Sequence, residues 1–131
     1  MIAVTRDAFP LAQTFTIARG SRTEAQVVTV RVMRDGVTGQ GECVPYARYG
    51  ETVDSVVTEI AALPGDITRR DLQDALPPGA ARNAVDCALW DWHAKQSGTP
   101  VHKLAGLHRL GRIQRQGIGA QHRAGTRIAR F

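Results

Sequence analysis

Two periodicities divide the chain. Up to residue 50 the apolar residues come in short runs that alternate in places with polar ones, a strand signature. Ile2–Phe9 and Gln13–Ala18 read as two strands joined by a turn at Pro10. Ala25–Met33, rich in Val and Thr, reads as the next strand, and the tight-turn pair Asp35-Gly36 leads into Thr38–Cys43. An antiparallel meander of three or four strands is expected. Beyond Gly50 the period lengthens. Val53, Val56, Val57, Ile60 and Leu63 recur at helical spacing behind Thr52, a candidate N-cap, and Pro64-Gly65 stops that helix. A short helix Thr68–Ala75 follows, with Thr68 and Asp71 at capping-box spacing, and Pro77-Pro78-Gly79 ends it. Ala80–Gln96 carries the strongest signal: Ala81, Ala84, Val85, Ala88, Leu89 and Trp92 form one apolar stripe before Gly98. Thr99-Pro100 opens a last helical turn, Val101–Leu104. Strands first and helices after predict an α+β layer with helices on one face of the sheet.

Residues 108–131 break this pattern. Gly111, Gly117, Gly119 and Gly125 interrupt any helix, and apolar residues are sparse. Such a stretch buries too little surface to offset the entropy of ordering. The division expected is therefore a domain over 1–107 and an irregular, disordered tail over 108–131.

Charge sharpens that boundary. The chain of 131 residues has a formal net charge of +5 and a pI near 10.0, which invites a nucleic-acid reading. Yet residues 1–107 carry 11 Lys and Arg against all 12 Asp and Glu, while the last 24 residues carry six Arg and no acid. The basicity belongs to the tail. No apolar run approaches the roughly 18–20 residues that cross a bilayer, and the N-terminus does not read as a signal peptide. Cys43 and Cys87 match no metal spacing and read as reduced, partly buried thiols of a cytoplasmic protein.

Candidate chemistry is thin. Gly39-Gln40-Gly41-Glu42 lacks the third glycine and the following helix of a phosphate loop; it reads as a strand end where backbone passes close to a neighbour. Arg19, Arg22 and Arg48 fall in two expected loops, Ala18–Glu24 and Val44–Glu51, and guanidinium forks suit carboxylates. Tyr46 and Tyr49 flank Arg48 and favour a pocket there. Trp92 belongs to the apolar stripe, whereas Trp90 points elsewhere and is expected to meet a neighbouring domain. Asp86 and Asp91 are expected to pair with Arg82 and Lys95 at four-residue spacing. His93 and His102 read as ordinary histidines. No nucleophile–base set, lysine base or carboxylate cluster emerges, so no catalytic residue and no metal ligand is assigned.

Three blocks carry a resemblance. Phe15-Thr16-Ile17-Ala18-Arg19-Gly20-Ser21-Arg22 comes first, then Gly41-Glu42-Cys43 with Pro45-Tyr46-Ala47-Arg48-Tyr49-Gly50-Glu51, then the helix Gly79–Asp91 with its Ala-Leu-Trp-Asp core. From about Pro10 to Leu107 the chain resembles the N-terminal capping domain of the enolase superfamily. The match is to the muconate-lactonizing subgroup, and within it to dipeptide epimerases acting on L-Ala-D/L-Glu. The resemblance implies a meander-plus-helices cap that closes two loops over a (β/α)-barrel. In such relatives the barrel holds Mg²⁺ on three carboxylates and two lysines that move a proton alpha to a carboxylate. The cap excludes water and reads the distal part of the substrate. Carried over by position, Phe15–Glu24 is the first lid and Pro45–Glu51 the second. Phe15, Arg19, Arg22, Arg48 and Tyr49 become substrate-binding candidates, with Arg19 or Arg22 meeting a dipeptide carboxylate. After Leu107 the chain departs from the family, since a barrel needs on the order of 200 residues. The acid-free tail resembles translation in a wrong reading frame. The chain is thus expected to lack the barrel, to bind no Mg²⁺ and to be inactive alone. It is also expected to bind a dipeptide only with a barrel domain, and to self-associate through its uncovered barrel-facing surface. The competing reading is a binding module whose arginine tail engages nucleic acid or an acidic partner; the lack of aromatics among those arginines disfavours it.

Overall fold

The structure, a computed structural model, describes residues 1–17 and 20–107. Both expected features of the tail, its disorder and its partner, fall outside those residues, as does Arg19.

Three antiparallel strands form one sheet in the order β1-β2-β3: β1 (Ile2–Ile17), β2 (Gly20–Arg34) and β3 (Val37–Cys43). The two N-terminal strands expected from sequence are one strand, with a register irregularity between Pro10 and Phe15 in place of a turn. The reason is geometric. Met1 and Met33 exchange backbone bonds in both directions, so odd residues of β1 turn their peptide groups toward β2 and even ones turn outward. Pro10 is even and sits on the sheet edge, where its missing N–H costs no ladder bond. β2 likewise begins at Gly20, before the expected Ala25. The first lid is therefore the end of a β-hairpin, where a loop was expected. The β2–β3 hairpin turns at Asp35 and Gly36, both with positive φ (51° and 73°), as a two-residue connection requires.

The helices are α1 (Val53–Ala61), α2 (Arg69–Ala75), α3 (Ala80–Ser97) and α4 (Val101–Leu104), all close to their expected bounds. Thr52 and Ser55 cap α1 reciprocally, serine standing where glutamate is usual. Thr68 accepts from the Asp71 N–H at the start of α2. Gly98 ends α3 in the left-handed region.

One face of the sheet is buried. Val28, Val30 and Val32 of β2 meet Val56 and Ile60 of α1, Leu72 of α2 and Ala84, Val85 and Ala88 of α3. The alternate face carries Thr5, Asp7 and Thr29, joined where Thr5 and Thr29 donate to Asp7 Oδ2. Over β3 the approach of α3 is closest. Gly39 and Gly41 face the helix, and a side chain on Gly41 would overlap the carbonyl oxygen of Ala84. This is the close passage expected of the glycine pair. It brings Asp91 and Lys95 level with the edge of the sheet. Asp91 Oδ2 accepts from the Gln40 N–H at 2.8 Å, Lys95 Nζ donates to the Thr38 carbonyl at 3.0 Å, and the two side chains pair at 2.6 Å.

Three expectations are corrected by the helices. Asp86 pairs with Arg69 of α2, at 3.3 Å, instead of Arg82. Arg82 turns back to the free carbonyls at the end of α2, those of Leu76 and Gln73. Trp90 already has a cover within the domain, the Arg69 guanidinium 3.2 Å from its ring centroid. The thiols differ: Cys43 is buried and Cys87 is exposed, so only the first is sheltered.

Candidate functional site

The hairpin end and the chain after β3 meet at one end of the sheet. Beyond the irregularity of β1, Phe15 stands opposite Arg22, Thr16 opposite Ser21 and Ile17 opposite Gly20. The Thr16 and Ser21 hydroxyls bond at 2.9 Å and tie the hairpin near its tip. On the other side, Ala47–Tyr49 forms a single 3-10 turn. Tyr49 N–H donates to the Tyr46 carbonyl, and Gly50, in the left-handed region (φ 76°), donates to the Ala47 carbonyl. Only glycine takes that conformation without strain.

Between hairpin and turn lies a cleft of about 460 Å³ lined by Phe15, Gly20, Ser21, Arg22, Tyr46, Ala47 and Arg48. Three residues singled out from sequence, Phe15, Arg22 and Arg48, come together here from segments more than twenty residues apart. No carboxylate lines the cleft, and among the described residues neither arginine is in an ion pair. The site is a cationic recess with an aromatic wall, suited to a carboxylate on a short organic molecule. Phe15 is 59% exposed, a large apolar side chain open to whatever occupies the recess.

Tyr49 stands outside this cleft. Its ring is 76% exposed and packs on Tyr46, with centroids 5.8 Å apart. Sequence reasoning placed Tyr46 beside a pocket without assigning it contact, and it missed Ser21. Glu51 was recognised only as part of a motif. Its carboxylate in fact accepts from the Tyr46 N–H at 3.0 Å and from the Ala80 N–H at 2.7 Å. Nothing in the local sequence reveals the second bond, which spans 29 positions.

A larger cleft of about 910 Å³ opens between α2 and α3. Its cations are already engaged. Arg34 donates to the carbonyls of Gly65 and Ile67 and lies 5.7 Å from the Trp92 ring centroid, while Arg69 is held by Asp86 and Trp90. These arginines act as struts between strand end and helices.

The thiols and one carboxylate are electrostatically perturbed. Burial, then the charges of Glu51 and Glu42 and the nearby Cys87, push Cys43 up to about 11. Burial and Asp86 raise Cys87. Burial works to raise Asp91, but bonds from Lys95 and the Gln40 N–H, with the lysine's charge, outweigh it and hold the carboxyl below its ordinary value. None of these groups lines the cationic recess. Among the described residues no three His, Cys, Asp or Glu side chains converge to hold a metal ion, so they do not fit Mg²⁺. No described helix is long and apolar enough to cross a membrane.

Residues 1–106 match the family described as Mandelate racemase / muconate lactonizing enzyme, N-terminal domain. The chain is 47% identical over 110 residues to the L-Ala-D/L-Glu epimerase of Escherichia coli K12, an alignment covering 81% of this chain and 34% of that enzyme. An enolase family member from Agrobacterium tumefaciens with homology to dipeptide epimerases, solved with sodium and L-Ala-L-Glu, superposes with a TM-score of 0.75. It is 47% identical, over 80% of this chain and 34% of that one. The dipeptide epimerase of Methylococcus capsulatus, solved with Mg and L-Arg-D-Lys, superposes at 0.66 and 30% identity, over 81% of this chain and 34% of that one. The chain thus spans about a third of the length of each relative. By matched residues, identity and fold together, it belongs to the mandelate racemase / muconate lactonizing enzyme family of the enolase superfamily, as an N-terminal domain of the dipeptide-epimerase kind.

Proposed function

We propose that residues 1–107 are the substrate-capping domain of a dipeptide epimerase of the L-Ala-D/L-Glu type, with Arg22 and Arg48 receiving the anionic distal group of the dipeptide against Phe15. The carrying observation is the cleft itself: two unpaired guanidiniums and an aromatic wall, with no carboxylate in the lining. Each charge-assisted bond to a bound carboxylate contributes on the order of 1.5–3 kcal/mol. Arg19, beside the same hairpin tip in sequence, and Tyr49, stacked on Tyr46, complete the candidate set. The residues here bind, orient and shield; none supplies the base that removes a proton. Catalysis and Mg²⁺ therefore belong to a barrel that this chain would meet, and the chain alone is inactive. Residence in the cytoplasm and self-association through the apolar end exposed at Phe9, Val44 and Tyr49 form part of the same proposal.

The test is a chimera in which residues 1–107 replace the corresponding segment of the Escherichia coli relative. It should epimerise L-Ala-D-Glu, and Arg22→Ala or Arg48→Ala should raise KM about tenfold or more, the equivalent of one lost charged contact. An unchanged KM in both variants refutes the assignment of the cleft. Turnover by the purified 131-residue chain refutes its role as a cap without catalysis.

A further inference from the structure

We infer that Glu51 is a positioning residue for the cationic recess: its carboxylate locks the Tyr46–Tyr49 turn to the N-terminus of α3 and so fixes where Arg48 and Tyr46 stand. The inference rests on the proposal that this recess takes the substrate's anionic end. Four observations carry it. The first is the pair of bonds already described, one oxygen to the turn and the other to the helix. The second is that α3 has no cap of its own: its N-cap residue is Gly79, which offers no side chain. The carboxylate of Glu51 therefore serves a free N–H and the positive end of an 18-residue helix, a favourable place for a negative charge. The third is space. A Cβ on Gly79 would lie 3.0 Å from Glu51 Oε1, so glycine there gives the carboxylate room to reach the helix. The fourth is the anchor's far end. α3 is pressed against β3 at Gly39 and Gly41, so the turn is referred through Glu51 to the most firmly seated element of the domain.

Without this link the turn retains only its two internal backbone bonds, from Tyr49 N–H to the Tyr46 carbonyl and from Gly50 N–H to the Ala47 carbonyl. Those preserve its shape but not its place relative to the hairpin that carries Phe15 and Arg22. Glu51 lines a separate small hollow with Tyr49, Gly79 and Asn83 and does not line the recess. Its influence on a ligand passes through Tyr46 and Arg48.

The experiment uses the full 131-residue chain, labelled with ¹⁵N and ¹³C and titrated with L-Ala-D-Glu. Wild type and Glu51→Ala, Glu51→Gln and Thr68→Ala are compared. Thr68→Ala removes the α2 cap and serves as a destabilised control away from the recess. In Glu51→Ala the Tyr46 and Ala80 amides should lose exchange protection while those of mid-α3 keep it. Nuclear Overhauser contacts between the Tyr46–Arg48 turn and the Phe15–Arg22 hairpin should weaken, and the dipeptide Kd should rise about tenfold, the size of effect expected when buried donors lose their acceptor. Glu51→Gln, which keeps one acceptor oxygen, should fall between, and Thr68→Ala should leave Kd and the contacts unchanged. Wild-type contacts in Glu51→Ala, or a Kd no weaker than that of Thr68→Ala, overturns the inference. If wild type does not bind the dipeptide, the proposed ligand of the isolated cap fails, and the contacts between turn and hairpin decide the role of Glu51 on their own.

Discussion

Gly41→Ala isolates the force that seats α3 on the sheet. Gly41 is not among the described glycines with positive φ, so alanine can adopt its backbone conformation and the penalty is steric. The added carbon would overlap the Ala84 carbonyl oxygen, lie 2.7 Å from the Ala88 nitrogen and 3.0 Å from Cys87 Cβ. Carbon atoms rest at about 3.5–4.0 Å from such neighbours, so the helix must withdraw by roughly 1 Å, and a gap of that size forfeits a quarter to a half of each dispersion contact it opens. The contacts at stake join Val28, Val30 and Val32 to Ala84, Val85 and Ala88, all buried. Overpacking a core costs about 1–3 kcal/mol. The upper end applies because the obstacle is helix backbone, which cannot rotate aside. Alanine returns about 0.4–1 kcal/mol by restricting the unfolded chain. A net loss near 2–3 kcal/mol corresponds to a fall in Tm of about 8–20 °C for a domain of this size. Circular dichroism at 222 nm against temperature and urea measures it. Gly36→Ala is the control: open space surrounds it, but its φ of +73° is strained for alanine, a cost of about 1–2 kcal/mol. A smaller shift in Gly41→Ala than in Gly36→Ala would refute the steric account.

Asp91→Ala should cost about 1 kcal/mol, discounted for partial exposure, and should raise concentration-dependent association by light scattering, since it uncovers the Gln40 N–H. Because Asp91 is held below its usual value in the folded state, its contribution is present above pH 4 and is lost as pH falls through the folded pKa, so the acid arm of the stability curve should flatten in that variant. Cys43, raised from 9.0 to about 11, acts in the opposite sense. Its stabilisation is complete below pH 9 and declines as pH rises toward 11, a decline that urea titrations of Cys43→Ala should lack. In native chain at pH 8.5 a thiol reagent should label Cys87 first, and equal rates at both cysteines would contradict the burial of Cys43. Arg69→Lys should lose about 0.5–1 kcal/mol through a weaker stack on Trp90, and a double-mutant cycle with Trp90→Leu should show that coupling vanish.

Sequence periodicity reveals what local chemistry controls. Thr52, Thr68 and Gly98 mark helix ends because capping needs a particular side chain, or none, at a particular place. The stripe from Ala81 to Trp92 is legible for the same reason. Pro10 misled because proline breaks an interior strand but is harmless with its nitrogen turned outward, and outwardness depends on which strand pairs with which. Asp86 misled because four-residue spacing on α3 competed with an arginine on another helix, and tertiary placement decided it. At the recess, Phe15, Arg22 and Arg48 were legible through motif resemblance, whereas the Glu51 bond to Ala80 required the folded chain.

The pair Asp91–Lys95 occupies the outward N–H of Gln40 and the outward carbonyl of Thr38, and among the described residues β1 carries no comparable pair along its own outer side. In polymer terms the sheet is a monomer of valence one. Strand addition at β1 can join it to one further sheet, and the product of two such units presents only capped margins. Growth then terminates at a pair, whereas a sheet open at both margins would propagate into a ribbon. Two charged side chains, delivered by a helix that two glycines admit to the strand, thus set an upper limit on assembly by this route.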